Sequence, residues 1–489
     1  MKKKYRGLIF LTGILTIYAG LMAFLSVRNH ELYQTFGWDL GFFDQLMWQA
    51  SRGNLNFVST IGNINLLGDH FQPVLYLLAP LYWIWDDARI LLIVQALLVT
   101  GAVIPLYLLA KQKLHSEFIS IFVGFSYLIF LGTQFTITNE FHQSVFIPLL
   151  LSLGLYWLET DKMFRGLFFL TSLLLVKEET GLLLVVLGIM YSIKFWKGPA
   201  LRRKAGPLLI LVGSIGFFLL LRIVIPAVSS QGRYIHYGYG SLGETPAEVV
   251  KSVVSNPLAG LKTLIEPKIK LEQVGASIIS FGGLPLLSPV SLIPVFQNYA
   301  VRFLDDRNIH RWLNNNHYSA PLGPLLAYGT IMTISSLSCK AGSRSARRET
   351  LFGWRCDNLY FFSFYLTVVS ISAAIVLKLP VFSLFKSQLY FTPQWAKDID
   401  SIVKLVPPNA SVATVNSVFP HLSHRDKIYL LPEINDAEYI VLDLENGPNK
   451  YSPTDYRQTI LLAEMLERGS WDKIVVSGKS VIFRRSKGL

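Results

Sequence analysis

Charge is scarce in this chain. Asp, Glu, Lys and Arg make up 16% of its 489 residues, against about 25% in a soluble domain. The deficit lies in long apolar runs, with the charges clustered between them. Cysteine is nearly absent as well, with Cys339 and Cys356 alone, which excludes a disulfide framework and a cysteine metal cluster. No Gly-rich phosphate loop and no internal repeat occur, so nothing marks a nucleotide cradle or a repeat architecture. What is abundant is apolar: 52% of residues are hydrophobic and 13% aromatic. Basic residues outnumber acidic ones by 13. That excess does not point to nucleic acid, because Lys and Arg sit in short loops between apolar runs, where orientation signals belong.

Apolar runs near the roughly 20 residues that cross a bilayer predict spans at 8–27, 88–110, 116–134, 143–160, 164–177, 180–196, 206–227, 272–285, 287–304, 318–337 and 357–378. Pro285 and Pro289 make the eighth and ninth short enough to be one re-entrant element instead. The basic start (Lys2, Lys3, Lys4, Arg6) runs straight into the first apolar run without a small-residue cleavage site, which reads as a retained signal anchor. Eleven spans from a cytoplasmic N-terminus put the C-terminus outside, in the cell membrane. The short loops agree. Those assigned inside carry Lys111 and Lys113, Lys162 and Arg165, Lys194, Lys197 and Arg202 to Lys204, then Lys340 and Arg344 to Arg355, whereas the short outside turns hold Lys177 alone. Cys339 and Cys356 flank the last inside loop, where thiols stay reduced.

The expected fold is therefore an all-α polytopic membrane domain over 1–390, with outer loops at 28–87 and 228–271, followed by a small extracytoplasmic α/β domain over 391–489. In the first loop, Trp38–Arg52 is amphipathic and Phe71–Trp85 is an interfacial apolar stretch. In the C-terminal part, 394–405 and 455–468 read as helices. Strands are expected at 410–415, 427–431 and 439–442, with a hairpin over 473–484 turning at Gly478.

Polar groups crowd the outer ends of the spans, where ionisable side chains are costly unless they face a cavity or a partner. Asp39 and Asp44 lie in the first loop; five residues on one helix set them about 140° apart, so at most one faces a common pocket. Asp69 and His70 follow. Glu140 and His142 sit in the turn after the third span, and Lys177 and Glu178 in the turn after the fifth. Arg222 lies near the outer end of the seventh span, Arg302 ends the ninth, and His317 and Tyr318 open the tenth. Each has a bland alternative. The Asp residues can cap or solvate an interfacial helix, Lys177 and Glu178 can pair with each other, and Arg222 can snorkel to headgroups. His421 and His424 have an i, i+3 spacing that a metal can use, but two histidines without further ligands do not make a metal site.

The strings Asp39-Leu-Gly-Phe-Phe-Asp-Gln, Gly68-Asp-His-Phe-Gln-Pro-Val-Leu-Tyr-Leu-Leu-Ala-Pro-Leu-Tyr82, Phe141-His142, Lys177-Glu178, His317-Tyr-Ser-Ala-Pro321 and Pro420-His-Leu-Ser-His-Arg425 resemble, in order and over nearly the whole chain, a prokaryotic family of predicted membrane proteins of unknown function grouped with the GT-C glycosyltransferases. The family's Phe-His is usually followed by Pro-Glu and its Lys-Glu by Asp; here Gln143-Ser144 and Glu179 stand there. The resemblance implies a polyprenyl-phosphate sugar donor in the membrane, an acceptor of unknown kind outside, and an acidic residue of the first outer loop at the chemistry. On that reading Asp39 is the first choice for the base, with Asp44 or Asp69 as alternatives. Arg222, Lys177 and Arg302 are candidates for the lipid phosphate. His70, Glu140 and His142 would orient the acceptor or hold a divalent cation. The competing classes are a transporter or flippase of a lipid-linked or polar solute, which favours repeats and midplane sites, and a non-catalytic scaffold or sensor whose outer domain binds a partner.

Overall fold

A computed structural model describes residues 6–236, 239–243, 245–338, 359–445 and 453–486. The basic start at Lys2–Lys4, both cysteines and the basic residues from Lys340 to Arg355 lie outside the described residues.

The chain folds into a mainly helical body and a small C-terminal sheet domain. Four helices are long and apolar enough to cross a membrane: Gly7–Glu31, Arg89–Leu114, Ala200–Val228 and Leu359–Val376. A fifth crossing comes from Glu117–Leu128 and Leu131–Thr138 if this pair, bent by 55°, counts as one. The expectation of eleven spans is thus corrected among the described residues. Gln143–Glu159, Met163–Leu175, Thr180–Lys194 and Leu322–Leu337 are apolar but shorter. A helix rises 1.5 Å per residue, so the 13 positions of Met163–Leu175 reach only about 20 Å of the roughly 30 Å core. The segments around Pro285 and Pro289 form two separate elements. The helix Ile269–Ser280 ends at Gly282 and Gly283, both at positive φ, before a short 3-10 turn and the helix Pro289–Phe303.

Small residues set the closest helix pair. Gly181 and Gly188 on Thr180–Lys194 face Gly213 and Gly206 on Ala200–Leu219; a Cβ at Gly188 would lie 2.6 Å from the Gly206 carbonyl oxygen. Such close approach is how apolar helices bind each other where lipid offers no hydrophobic drive. At the far end of Phe146–Glu159 the buried Glu159 carboxylate receives Lys113 at 2.7 Å, Lys194 at 2.5 Å and the Tyr328 hydroxyl at 2.7 Å. Three loops that the sequence placed on one side therefore meet at one point.

At the other end, the first long loop forms a turn and helix over Gly37–Ser51, then a small ribbon in which β1 (Val58–Ser59) pairs antiparallel with β2 (Ile64–Asn65). The apolar stretch Pro73–Trp83 follows as a 3-10 helix. Asn65 ties this loop to the second one, donating to the Val228 carbonyl at 2.8 Å and accepting from the Ser230 amide at 3.0 Å.

The C-terminal sheet contains β3 (Val412–Thr414), β4 (Ile428–Leu430), β5 (Tyr439–Asp443), β6 (Trp471–Ser477) and β7 (Ser480–Arg485), in the order β4-β3-β5-β7-β6. The first three run parallel, and β7 pairs antiparallel with β5 and β6. Helix Gln394–Val403 buries Ala396, Ile399 and Ile402, one face at helical spacing, against the β6–β7 hairpin. Gly478 turns that hairpin at φ +56°, a conformation that glycine adopts without strain.

Candidate active site

Asp39 sits in a turn, Gly37–Gly41, that is held from two sides. Glu140 Oε2 accepts the backbone amides of Phe36 at 2.7 Å and Leu40 at 3.2 Å. Opposite, Asn416 of the sheet domain accepts the Gly37 amide through its side-chain oxygen at 2.8 Å and its carbonyl at 3.0 Å. Phe419 packs so closely that a Cβ on Gly41 would lie 2.6 Å from its ring. The carboxylate of Asp39, 44% exposed, points to Nε2 of His142 at 3.1 Å. Nδ1 of His142 lies 3.1 Å from the Glu140 carbonyl oxygen; both this oxygen and the Asp39 carboxylate accept, so an imidazole protonated on both nitrogens would donate to each. The imidazole stacks on His317 with ring centres 3.6 Å apart, and His317 in turn packs on Tyr318. Burial, then the charge of Asp39, push the Glu140 carboxyl well above the usual carboxylate range. Burial, with His142 and Lys177 beside it, takes His317 well below the ordinary histidine value.

A cavity of about 220 Å³ opens here, walled by Trp38, Asp39, Asp69, His70, His142, Lys177, His236, His317 and Tyr318 among others. Its far wall is a chain of paired charges. Asp69 Oδ1 meets Nε2 of His236 at 2.5 Å, and the His236 ring stacks on His70 at 4.3 Å. His70 Nδ1 lies 2.8 Å from Glu178 Oε1, which also accepts the Tyr234 hydroxyl at 2.8 Å, while its second oxygen accepts the Phe71 amide at 3.1 Å. Burial opposes the charge on Glu178, but His70 and Lys177 outweigh it and hold its pKa at about 2. Lys177 is buried and paired with Glu179 at 3.0 Å; Glu179 also lies 3.9 Å from Arg311. Among the described residues, Asp69, His70 and His236 are the set with metal-ligating atoms within 4.8 Å of one another. They are the group that can hold a divalent cation between the two long loops.

On the other side of Asp39 lies a larger chamber, about 610 Å³, lined by Asp39, Glu140 and His142 together with Asn29, Gln34, Asn139, Asn316, Lys378 and Lys386.

The structure brings together Asp39, Asp69, His70, His142, Lys177, His317 and Tyr318 at one cavity, with Glu178 directly behind. It takes others elsewhere. Asp44, fully buried, faces the sheet domain: it accepts the Tyr82 hydroxyl at 2.6 Å and the Ser423 hydroxyl, and lies 3.0 Å from His424 Nε2. His424 also reaches Asp86 at 3.2 Å. Arg222 is exposed in an irregular turn of its helix at Leu220–Val224 and lines neither this cavity nor the larger chamber. Arg302 is buried and spends its donors on the carbonyls of Arg311, Trp312 and Leu313 and on Asn298 and Asn314. It fixes that loop rather than offering a free cation. His421 stacks between His30 and Tyr33 and does not converge with His424. The sequence reading missed His236, Glu179, Arg311, Lys378 and Lys386. The signal for His236 was its place in Tyr234-Ile-His-Tyr237, a polar-aromatic run in a long loop.

This fold and this buried, charge-paired cavity define a mainly helical protein with apolar spans and a small C-terminal sheet domain. The chain belongs to the family described as Predicted membrane protein (DUF2079), whose model matches residues 29–475. The solved structure of ArnT from Cupriavidus metallidurans bound to undecaprenyl phosphate is similar over 97% of this chain and 97% of its own, with a TM-score of 0.53 at 13% identity. The same protein in the apo state is similar over 96% of this chain and 98% of its own, with a TM-score of 0.50 and 13% identity. At that identity the likeness concerns the fold. No curated protein matches the chain.

Proposed function

We propose that this protein is a GT-C-type glycosyltransferase that moves a sugar from a polyprenyl phosphate to an acceptor hydroxyl on the extracytoplasmic side. One observation carries the reading: a half-exposed carboxylate, Asp39, is fixed from both sides of its turn and borders a walled cavity at the end of an apolar helical body. A lipid donor lies in the membrane, so its chemistry needs a base at that depth, open to water on one side. Asp39 takes the proton of the acceptor hydroxyl; the acceptor oxygen attacks the sugar's anomeric carbon. The bond from that carbon to the phosphate oxygen breaks, and polyprenyl phosphate leaves with the electron pair. His142, held by the Glu140 carbonyl and by stacking on His317, orients the carboxylate. The fold shared with ArnT, a protein solved with undecaprenyl phosphate bound, supports a lipid phosphate as partner.

The topology follows the basic loops. The Glu159 end, where Lys113 and Lys194 converge, is the cytoplasmic side with the N-terminus. The Asp39 end, about 25 Å away along the helix from Gln143 to Glu159, and the sheet domain over 391–489 are outside.

The test is lipid and glycan profiling of a deletion strain, complemented with wild-type protein or Asp39→Asn. A polyprenyl-phosphate sugar should accumulate and an outer glycan should be lost, with rescue by the wild type alone. Unchanged profiles would overturn the transferase reading.

A further inference from the structure

Asp39 and His142 form a partition. Both line the 220 Å³ cavity on one side and the 610 Å³ chamber on the other. A transferase brings two substrates to one base from different directions, and the charges on the two sides of this partition differ.

In the smaller cavity the permanent cation is Lys177, and Glu179 matches it at 3.0 Å. Asp69 is matched by His236. An anionic group entering there would have to displace carboxylates already in place. In the larger chamber the cations are Lys378 and Lys386. Both are exposed, and among the described residues neither side chain has a hydrogen bond or an ion pair. Two ammonium groups without counter-charges, facing one chamber with a carboxylate on its wall, form the place where an anion gains most.

Position narrows the anion. Lys378 follows directly on the membrane helix Leu359–Val376, and Lys386 lies in the short turns that come next. The chamber's apolar wall includes Leu25 from the first long helix, Leu32 just after it, and Leu389. Beside it, Leu21 and Phe24 on the first helix and Val376 and Phe385 on the last stretch are exposed apolar groups, a surface suited to a hydrocarbon tail. Amides of Asn29, Gln34, Asn139, Asn316 and Gln388 line the same space, neutral partners for sugar hydroxyls.

We infer that Lys378 and Lys386 bind the phosphate of the lipid-linked donor in the large chamber, with the donor sugar among the amides, and that the small cavity beyond Asp39 receives a neutral hydroxyl acceptor. This rests on the transferase reading and replaces Arg222, Lys177 and Arg302 as phosphate ligands. When the anomeric carbon–oxygen bond breaks, the phosphate gains one negative charge, and the two lysines stabilise it as it grows. The acceptor proton goes to Asp39 on the opposite face.

The experiment titrates undecaprenyl phosphate onto the full-length protein in nanodiscs, read by native mass spectrometry, for wild type, K378Q/K386Q and K378R/K386R. Phosphatidylglycerol and inorganic phosphate are run in parallel. The double Gln variant should bind the polyprenyl phosphate about tenfold more weakly, near the worth of one charge-assisted hydrogen bond. The double Arg variant should stay within about twofold, since it keeps both charges. Thermal unfolding equal to wild type shows that the Gln variant is folded; otherwise the single variants decide. Unchanged binding by folded Gln variants overturns the lysine site and leaves the transferase reading standing. An equal loss toward phosphatidylglycerol, or displacement of the lipid by inorganic phosphate at equal concentration, overturns it as a site for this lipid. No binding of polyprenyl phosphate by wild type removes both readings.

Discussion

Oδ1 of Asp39 lies 3.1 Å from Nε2 of His142, and the histidine is not free to turn away. Its other nitrogen is bound to the Glu140 carbonyl and its ring is stacked on His317. Glu140 closes the circle, because its side chain holds the amides on either side of Asp39. The carboxylate of Asp39 is thus held within a closed ring of contacts.

Asp39→Asn separates those two roles. Asn has nearly the same shape and is itself a good cap, so a capping role predicts a near-neutral change. As a base, Asp39 predicts a fall in turnover of about 10²–10⁴-fold with folding unchanged. Glycan complementation, with protein level measured alongside, decides; full complementation removes Asp39 as the base.

Phe419→Ala should act on the site without touching substrate. Phe419 is fully buried and packs against Gly37 and Gly41. Removing the ring should cost about 3–5 kcal/mol and loosen the turn of Asp39. A lowered melting temperature is expected together with reduced complementation at equal protein level; full activity would mean that the turn holds without the sheet domain.

The docking of the sheet domain should weaken as pH rises. Burial opposes a charge on His424, but Asp44 outweighs it, with Asp86 and Asp87 adding, and its pKa stands above the ordinary 6.5. The folded protein therefore holds this proton more tightly than the unfolded chain. That stabilisation is complete below pH 6.5 and is lost as pH rises through the raised value. Melting temperature followed across this range should fall on the alkaline side, and His424→Gln should flatten the dependence. A variant that keeps the wild-type slope would place the titration elsewhere.

Gly188→Val should loosen the tightest helix pair. Its new side chain would press on the Gly206 carbonyl and on Ile210, and overpacking of this kind costs about 1–3 kcal/mol. Thermal unfolding in detergent should register it, whereas the same change at Gly13, which has nothing within 4 Å, should not.

A reporter active only in the cytoplasm, fused after Leu489, should be silent, and one fused within the loop of Lys162 should be active. A signal from the C-terminal fusion would reverse the proposed orientation and put Asp39 on the wrong side for an outer acceptor.

Much of the sheet domain was legible because strands and helices there obey local rules. The expected helix over 394–405 is Gln394–Val403, and the hairpin turns at Gly478 as the glycine suggested. The gathering of Asp39, Asp69, His70, His142, Lys177 and His317 at one end was legible from where each falls between apolar runs. Direction was not. Asp39 and Asp44 are five residues apart, and only tertiary packing sends the second into Tyr82, Ser423 and His424. His236 reaches Asp69 across 167 positions, a distance that no local pattern encodes. Span lengths were overestimated because hydropathy does not see where a 3-10 turn or a bend interrupts an apolar run, as between Leu128 and Leu131.

The hold of Asn416 and Phe419 on the turn of Asp39 has a meaning for biosynthesis. The loop bearing Asp39 leaves the ribosome early, yet one wall of its turn is made almost at the end. A nascent or truncated chain that stops before residue 416 can thread every membrane helix and still lack a finished centre. The turn of Asp39 thus gains its second support only once the C-terminal sheet domain has been made.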